Sequence, residues 1–385
     1  MAGAAALVLL AAPLAAARPP DASRACGTHE AVRRSVHRLV TEDRIAGAAV
    51  LVDTPAAEPG CARWSVTDGV ADLRTGRRAN ITDRLRIGSV TKTFTATVVL
   101  QLAAEHRLSL DAPVERYLPG LIQGHGYDGR RITVRELLQH TSGLPDYLEA
   151  PEWEHPEALR RHHFAPRELI ARALQLPHPD QTWHYATTNY VVAGLIVQAV
   201  TGHSPEAEIT RRVIVPLGLR DTYWPGDDTR IEGPHSRSYF TDAEGRRVDG
   251  TDWNMTFGDV GGALVSTPED LTRFAQALSG GRLLPAEQLA EMRRTVTADP
   301  DRLWPGARYG LGLITTPLTC GGIWWGHAGT VPGGHRALVA VGPGGRTVAV
   351  ALTEIPATLQ AERDFLDVVD KSLCAAGSPT GRTTA

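Results

Sequence analysis

Apolar positions along the chain change period from one region to the next, and the changes mark out elements. Val32, Val36 and Leu39 recur at helical spacing, which predicts a helix from Thr28 to Leu39. Ala48 to Val52, after Gly47, is a short continuous apolar run and reads as a buried strand. Arg63 to Val70 reads as a second strand, ending at Asp68-Gly69. In the stretch from Arg86 to Leu102, Phe94, Val98, Val99 and Leu102 return to helical spacing and predict a helix with one apolar face. Ile132 to His140 is a further helix, opened by Thr133 with Glu136 three residues on, a capping box, and running to a turn ended by Gly143. Ala150 to Pro179 is rich in Pro, His and Arg and predicts short surface helices. Thr188-Asn189 is expected to cap a strongly apolar helix from Tyr190 to Val200, stopped by Gly202. Asp221 to Asn254 is polar and poorly periodic, read as loops and small strands. Thr267-Pro268 opens a helix to Leu278 with proline in its first position, Gly280-Gly281 ends it, and Pro285 opens another to about Arg294.

The C-terminal part turns strand-like. Tyr309 to Ile314, Ile323 to Gly326, Ala337 to Val341 and Thr347 to Leu352 read as strands, with Gly342 to Gly345 as the turn between the last two. Thr358 to Leu373 is a closing helix. Strands thus lie at both ends of the chain and helices in the middle, and neither strand set completes a sheet alone. The pattern predicts an α+β fold, with one antiparallel sheet built from N- and C-terminal segments, flanked by helices, and an inserted mainly helical lobe. The cleft between the lobes is the expected place for a site. The sheet lobe is expected at about residues 28–88 and 305–374, and the helical lobe at about 89–304. A leader at 1–17, a linker at 18–27 and a disordered tail at 375–385 complete the expected organisation.

Composition adds location and excludes partners. The chain has 385 residues and a formal net charge of -3, which gives no reason to expect nucleic acid or an acidic membrane surface as a partner. Ala4 to Ala17 is an Ala/Leu/Val run ending in Ala15-Ala16-Ala17, which reads as a secretory signal lacking its basic start, or alternatively as a short membrane anchor. No later run is long enough to span a bilayer. The four cysteines, Cys26, Cys61, Cys320 and Cys374, suit an exported protein. Three pairings are open. Cys26–Cys61 with Cys320–Cys374 is favoured, because each bridge then ties a terminal segment to a strand region. A secreted or extracytoplasmic monomer acting on a small molecule or peptidoglycan stem peptide is the expectation.

The candidate chemistry sits in Ser89-Val-Thr-Lys92. Ser89 falls in the first turn of a helix and Lys92 three residues on, so hydroxyl and amine share one face. The helix N-terminus favours an oxyanion there. The chain has 40 Lys plus Arg, yet only two lysines, Lys92 and Lys371. An arginine cannot be tuned into a base, whereas a lysine can, which makes the position of Lys92 informative. A capping serine followed by a surface lysine is the structural alternative. There is no Gly-x-Ser-x-Gly and no His-Glu-x-x-His, and Gly310-Leu-Gly312 is too short for a dinucleotide loop. His162-His163 reads as solvated and His140 as a helix-end residue. No cofactor and no metal is expected.

These residues carry a resemblance. Arg86-Ile-Gly-Ser-Val-Thr-Lys92, Ile132-Thr-Val-Arg-Glu-Leu-Leu138, His140-Thr-Ser-Gly-Leu144, Tyr185 to Gly194, Pro216-Leu-Gly-Leu219 and Gly326-His-Ala-Gly-Thr330 together resemble the serine penicillin-recognising hydrolases. That group comprises class C β-lactamases, related esterases and exported actinomycete D-alanyl-D-alanine carboxypeptidases. The likeness to the carboxypeptidases runs from about Val32 to Cys374, and Cys320 and Cys374 fall where such an enzyme has a disulfide. The resemblance implies Ser89 as nucleophile, Lys92 as its partner and Tyr185 as general acid/base. It implies His327 and Gly329 on a substrate-facing strand, and the Ser89 and Thr330 backbone N–H groups as oxyanion hole. A phenol ionises near pH 10, so Lys92 and His327 are expected to lower the Tyr185 pKa.

The chain departs from the pattern in three places. Thr187 stands where the group has an asparagine that binds the acyl-side amide. Ile314 and Ala328 stand where a carboxypeptidase has an arginine and a threonine for the terminal carboxylate. A less polar, less cationic cleft is expected, with Trp224, Trp324 or Trp325 in its wall, only one of the last two facing it. The expected function is an exported serine hydrolase working through an acyl-enzyme, of D-alanyl-D-alanine carboxypeptidase or β-lactamase-like type. An esterase or amidase on another small substrate, a slowly deacylating penicillin-binding sensor, and an inactive binding module are the alternatives.

Overall fold

In the computed structural model, which describes residues 29–55, 62–242 and 244–374, the terminal segments meet in one sheet. Helix α1 (His29–Thr41) forms on the expected face, with Val32, Val36 and Leu39 fully buried. It leads into β1 (Gly47–Asp53) and β2 (Arg63–Asp72), with a short β3 (Arg77–Arg78) behind them. The return strands are β4 (Val296–Thr297), β5 (Arg308–Tyr309), β6 (Ile314–Pro317), β7 (Ile323–Thr330), β8 (Arg336–Val341) and β9 (Thr347–Leu352). The order across the sheet is β4-β5-β6-β7-β8-β9-β1-β2-β3, with every pair antiparallel. The seam between the two ends of the chain is β9–β1, where Val350 faces Val50 and Val348 faces Val52.

Period-two alternation sorts this sheet into two cores. Leu338, Ala340, Val348 and Val350 point toward α1 and the closing helix, whereas Ala337, Val339, Val341 and Ala349 point toward the helical middle. The sheet begins with β4, earlier in the chain than the expected return at about residue 305. The expected single strand from Tyr309 to Ile314 is two strands, because the chain turns between them to reach the central helices. At Gly312, φ is +74° and a Cβ would fall 2.6 Å from the Ala96 Cβ, so the close approach requires glycine there.

The middle of the chain supplies α2 (Thr91–Ala104), α3 (Val134–Gln139), α4 (Pro166–Ala173), α5 (Thr188–Thr201), α6 (Pro268–Ser279) and α7 (Ala286–Met292). Helix α2 is not amphipathic as the spacing suggested: 11 of its 14 residues are buried, so it runs through the centre of the lobe. Its threonines fit there because their hydroxyls find carbonyls: Thr93 on Gly312 O (2.8 Å) and Thr95 on Val260 O (2.6 Å). Phe94 stacks on Phe274 at 3.7 Å between ring centres, joining α2 to α6. Helix α5 starts at Thr188, before the expected Tyr190, and neither Thr188 nor Asn189 caps it. Thr188 instead donates to Pro145 O at 2.7 Å, and Asn189 takes the Ser142 hydroxyl at 2.6 Å.

Thr358 caps α8 (Leu359–Leu373), whose end is tied back to the turn before β7 by the Cys320–Cys374 disulfide, with 5.8 Å between the Cα atoms. The Cys26–Cys61 pair, the leader, the linker and the C-terminal tail lie outside the described residues. Among the described residues no helix is long and apolar enough to cross a membrane.

Candidate active site

Ser89 lies in a short 3-10 turn, Gly88–Val90, that runs directly into α2, and Lys92 is the second residue of that helix. The turn is held by strand β7. A Cβ on Gly329 would stand 1.9 Å from Ile87 O and 2.8 Å from Ser89 N, and one on Gly88 would stand 2.7 Å from Thr330 N. The two backbones therefore touch through a pair of glycines, which sets the Ser89 and Thr330 backbones side by side.

Lys92 is fully buried, and burial drives its amine pKa down to about 7, opposed by the Asp146 carboxylate. Its Nζ has three neighbours: Gly261 O at 2.8 Å, Ser89 Oγ at 3.0 Å and Thr187 Oγ1 at 3.4 Å. A neutral amine has two N–H bonds and one lone pair. The Gly261 carbonyl can only accept, so it takes one N–H; Thr187 can take the other, leaving the lone pair for the Ser89 hydroxyl proton.

Tyr185 is partly buried beside this pair, with Lys92 Nζ 4.9 Å from its ring centre. Burial pushes its phenol up rather than down, against the opposing hydrogen bond of Ser89. The expected lowering by Lys92 and His327 does not occur, for a physical reason: burial leaves His327 uncharged and brings Lys92 down to about 7, so neither offers the phenolate a full positive charge at neutral pH. Burial takes the His327 pKa to about 3. The His327 Nδ1 faces the Ala328 carbonyl at 2.6 Å and its Nε2 faces the Tyr309 hydroxyl at 2.9 Å. The carbonyl fixes the proton on Nδ1, so Nε2 accepts from Tyr309 and the ring carries no charge.

A cavity of about 500 Å³ opens over Ser89. Tyr185, Thr187, His327, Ala328 and Thr330 line it, so the structure gathers the expected residues, with Lys92 and Gly329 directly behind. Leu148, Leu303, Trp304, Ile314, Ala328 and Ile355 form its apolar wall. Trp224, Trp324 and Trp325 do not line it; Trp324 packs under the sheet against Trp304, at 5.9 Å between ring centres. Two larger clefts, of about 950 and 810 Å³, lie elsewhere, and neither is lined by a serine or a cysteine.

The cleft is more charged than expected. Arg336 donates to Thr330 Oγ1 at 2.7 Å and to Glu362 at 2.5 Å, and Arg302 meets Glu149 at 3.1 Å. Asp146 is buried in the cavity wall, its pKa raised by burial although its carboxylate accepts the Leu148 N–H at 3.2 Å. Arg336 had a signal in the sequence: it faces Thr330 across the β7–β8 hairpin, and pairing those strands would have found it. Asp146, Glu149 and Arg302 sit in irregular loops with no local pattern to announce them.

The whole described domain matches the Beta-lactamase family, over residues 32–369. The chain is 31% identical over 330 residues to penicillin-binding protein 4 of Amycolatopsis lactamdurans, covering 82% of each chain. It is 32% identical to esterase EstB of Burkholderia gladioli over 203 residues, 48% of each chain. Its fold is similar to the D-stereospecific amidohydrolase from Streptomyces sp., with a TM-score of 0.79 and 36% identity, over 91% of this chain and 99% of that one.

Proposed function

Because the chain belongs to the Beta-lactamase family and is a serine hydrolase of that fold, we propose that it hydrolyses small amides or esters whose acyl part carries an apolar side chain. The observation that carries this reading is the wall of Ile314, Ala328, Trp304 and Leu148 facing Ser89, where recognition of a peptide carboxylate would need a free cation, while the two arginines of the cleft, Arg302 and Arg336, are paired with Glu149 and Glu362. The likeness to an amidohydrolase and to an esterase supports it.

In the proposed reaction the neutral form of Lys92, about half of the molecules at pH 7, takes the Ser89 proton as Oγ attacks the carbonyl carbon. The Ser89 and Thr330 backbone N–H groups hold the oxyanion. Tyr185, kept protonated by its burial, hands a proton to the departing amine or alkoxide and is reprotonated from Lys92. The C–O or C–N bond breaks, an acyl-Ser89 ester remains, and water cleaves it by the same steps in reverse. The Ala4–Ala17 leader and the disulfide support an extracytoplasmic location.

A second reading, acylation by penicillin with slow release, is favoured by the likeness to penicillin-binding protein 4. Intact mass after treatment with a fluorophosphonate and, separately, with a penicillin tests both, alongside turnover of D-phenylalanine amide, an ethyl ester and a D-Ala-D-Ala peptide. Labelling by fluorophosphonate, lost in Ser89→Ala, with turnover of the amide or ester is the expected outcome. A lasting penicillin adduct without amide or ester turnover would establish the second reading instead.

A further inference from the structure

The proposed mechanism leaves one buried, titratable side chain beside Tyr185 without a task. His140 closes α3 in a left-handed conformation, with φ +64°, where a non-glycine residue is strained. From there it grips both neighbours of Tyr185. Its carbonyl accepts the His184 N–H at 2.9 Å, and its Nδ1 accepts the Ala186 N–H at 3.2 Å. The two bonds straddle the tyrosine, and the imidazole lies against the phenol ring at 4.3 Å between centres.

The protonation state follows from the same contacts. A backbone N–H can only donate, so Nδ1 carries no proton and the neutral ring holds its hydrogen on Nε2. Among the described residues that Nε2 has no polar partner. The rings of Tyr309 and Tyr190 pack against the imidazole, at 4.8 and 5.4 Å between ring centres. Burial holds the ring neutral by driving its pKa well down. Nδ1 also faces the Asn189 amide at 3.1 Å, which ties the first turn of α5 to the same atom.

We propose that His140 is the positioning residue of Tyr185: it fixes the segment His184–Ala186 from both sides and so sets the phenol against Ser89. This rests on the reading of Tyr185 as the group that protonates the leaving atom. The strained backbone is then part of the device, since it is in this left-handed conformation that the carbonyl and the ring both meet the same strip of chain.

The test uses leaving groups. Ethyl and p-nitrophenyl esters of phenylacetic acid share an acyl part, but only the ethoxide needs a proton to depart. His140→Gly keeps the left-handed backbone and its carbonyl and removes the side-chain acceptor and the ring; His140→Asn keeps the backbone and a shorter side-chain acceptor. Thermal unfolding confirms that each variant is folded at the assay temperature. With His140→Gly, kcat/KM, which reports acylation alone and leaves out the deacylation step the two esters share, falls about 10- to 100-fold for the ethyl ester, while the p-nitrophenyl ester loses less than about threefold. His140→Asn recovers most of the difference. In a Tyr185→Phe background, His140→Gly has no further effect on the ratio of the two rates. Equal losses on both esters, or an undiminished effect in the Tyr185→Phe background, would overturn the proposal. A Tyr185→Phe variant with the wild-type ratio would instead remove the role assigned to Tyr185, and this inference with it.

Discussion

Replacing Lys92 by methionine should change how stability depends on pH, and the size of the change follows from burial. In the unfolded chain the amine titrates near 10.4. In the folded protein burial brings it to about 7. Between those values the unfolded state binds one more proton than the native state, so stability rises with pH across that window. For pKa values of about 7 and 10.4, Lys92 makes the native state about 2 kcal/mol more stable at pH 9 than at pH 7. Methionine has a similar unbranched stem and no titration. The lost hydrogen bonds to Gly261 O, Ser89 and Thr187 shift the Lys92→Met curve by a constant and leave its slope alone. Asp259 also titrates in this range, but it is present in both proteins and cancels in the difference. The assay is urea unfolding of wild type and Lys92→Met at pH 7, 8 and 9. The gap between the two stabilities should move by about 2 kcal/mol in favour of wild type as pH rises. Parallel curves would show that the amine keeps an ordinary pKa, and the lone pair assigned to it at neutral pH would go with it.

Gly329→Ala places a methyl 1.9 Å from Ile87 O; moving strand β7 away by roughly 1 Å should lower kcat about 100-fold, read by steady-state ester hydrolysis. Asp259, whose carboxyl burial raises to about 8, contributes stability that is full below about pH 4 and is lost as pH rises through 8. Asp259→Asn should remove a fall of about 2 to 3 kcal/mol between pH 5 and 7, measured by denaturant unfolding at both. Replacing Cys320 and Cys374 together by serine opens a link across 54 positions and should lower unfolding free energy by about 4 kcal/mol, within the usual range of 2 to 5.

Much of the fold is written locally. Thr133 with Glu136 and Thr267 before Pro268 each form the cap that their sequence announces, and the closing helix starts one residue later than expected, with Thr358 as its cap. Strand β9 runs over Thr347–Leu352, as its apolar run indicates. Errors fall where a tertiary neighbour overrides the pattern. Helix α2 looks amphipathic because its threonines count as polar, but in the core they bond to carbonyls of distant turns. The run from Tyr309 breaks at a turn whose cause, contact with α2 and α5, lies over a hundred residues earlier in the chain.

The same division holds in the site. Sequence alone determined the Ser89–Lys92 pair, because three residues of helical rise is a fixed geometry, and the resemblance to the serine penicillin-recognising hydrolases marked out Tyr185 and the His327-Ala328-Gly329-Thr330 strand as their partners. Only the tertiary structure decided the charge of those groups. Lys92 is brought down to about 7, His327 is uncharged and Tyr185 is held protonated because each loses water to surroundings drawn from α5, β5 and the segment at Gly261. It also decided that Arg336 stands over Thr330 and that His140 closes around Tyr185. Spacing along a chain is a local quantity, whereas desolvation and hydrogen-bond partnership belong to whatever the fold packs alongside, and that is set by the whole molecule at once.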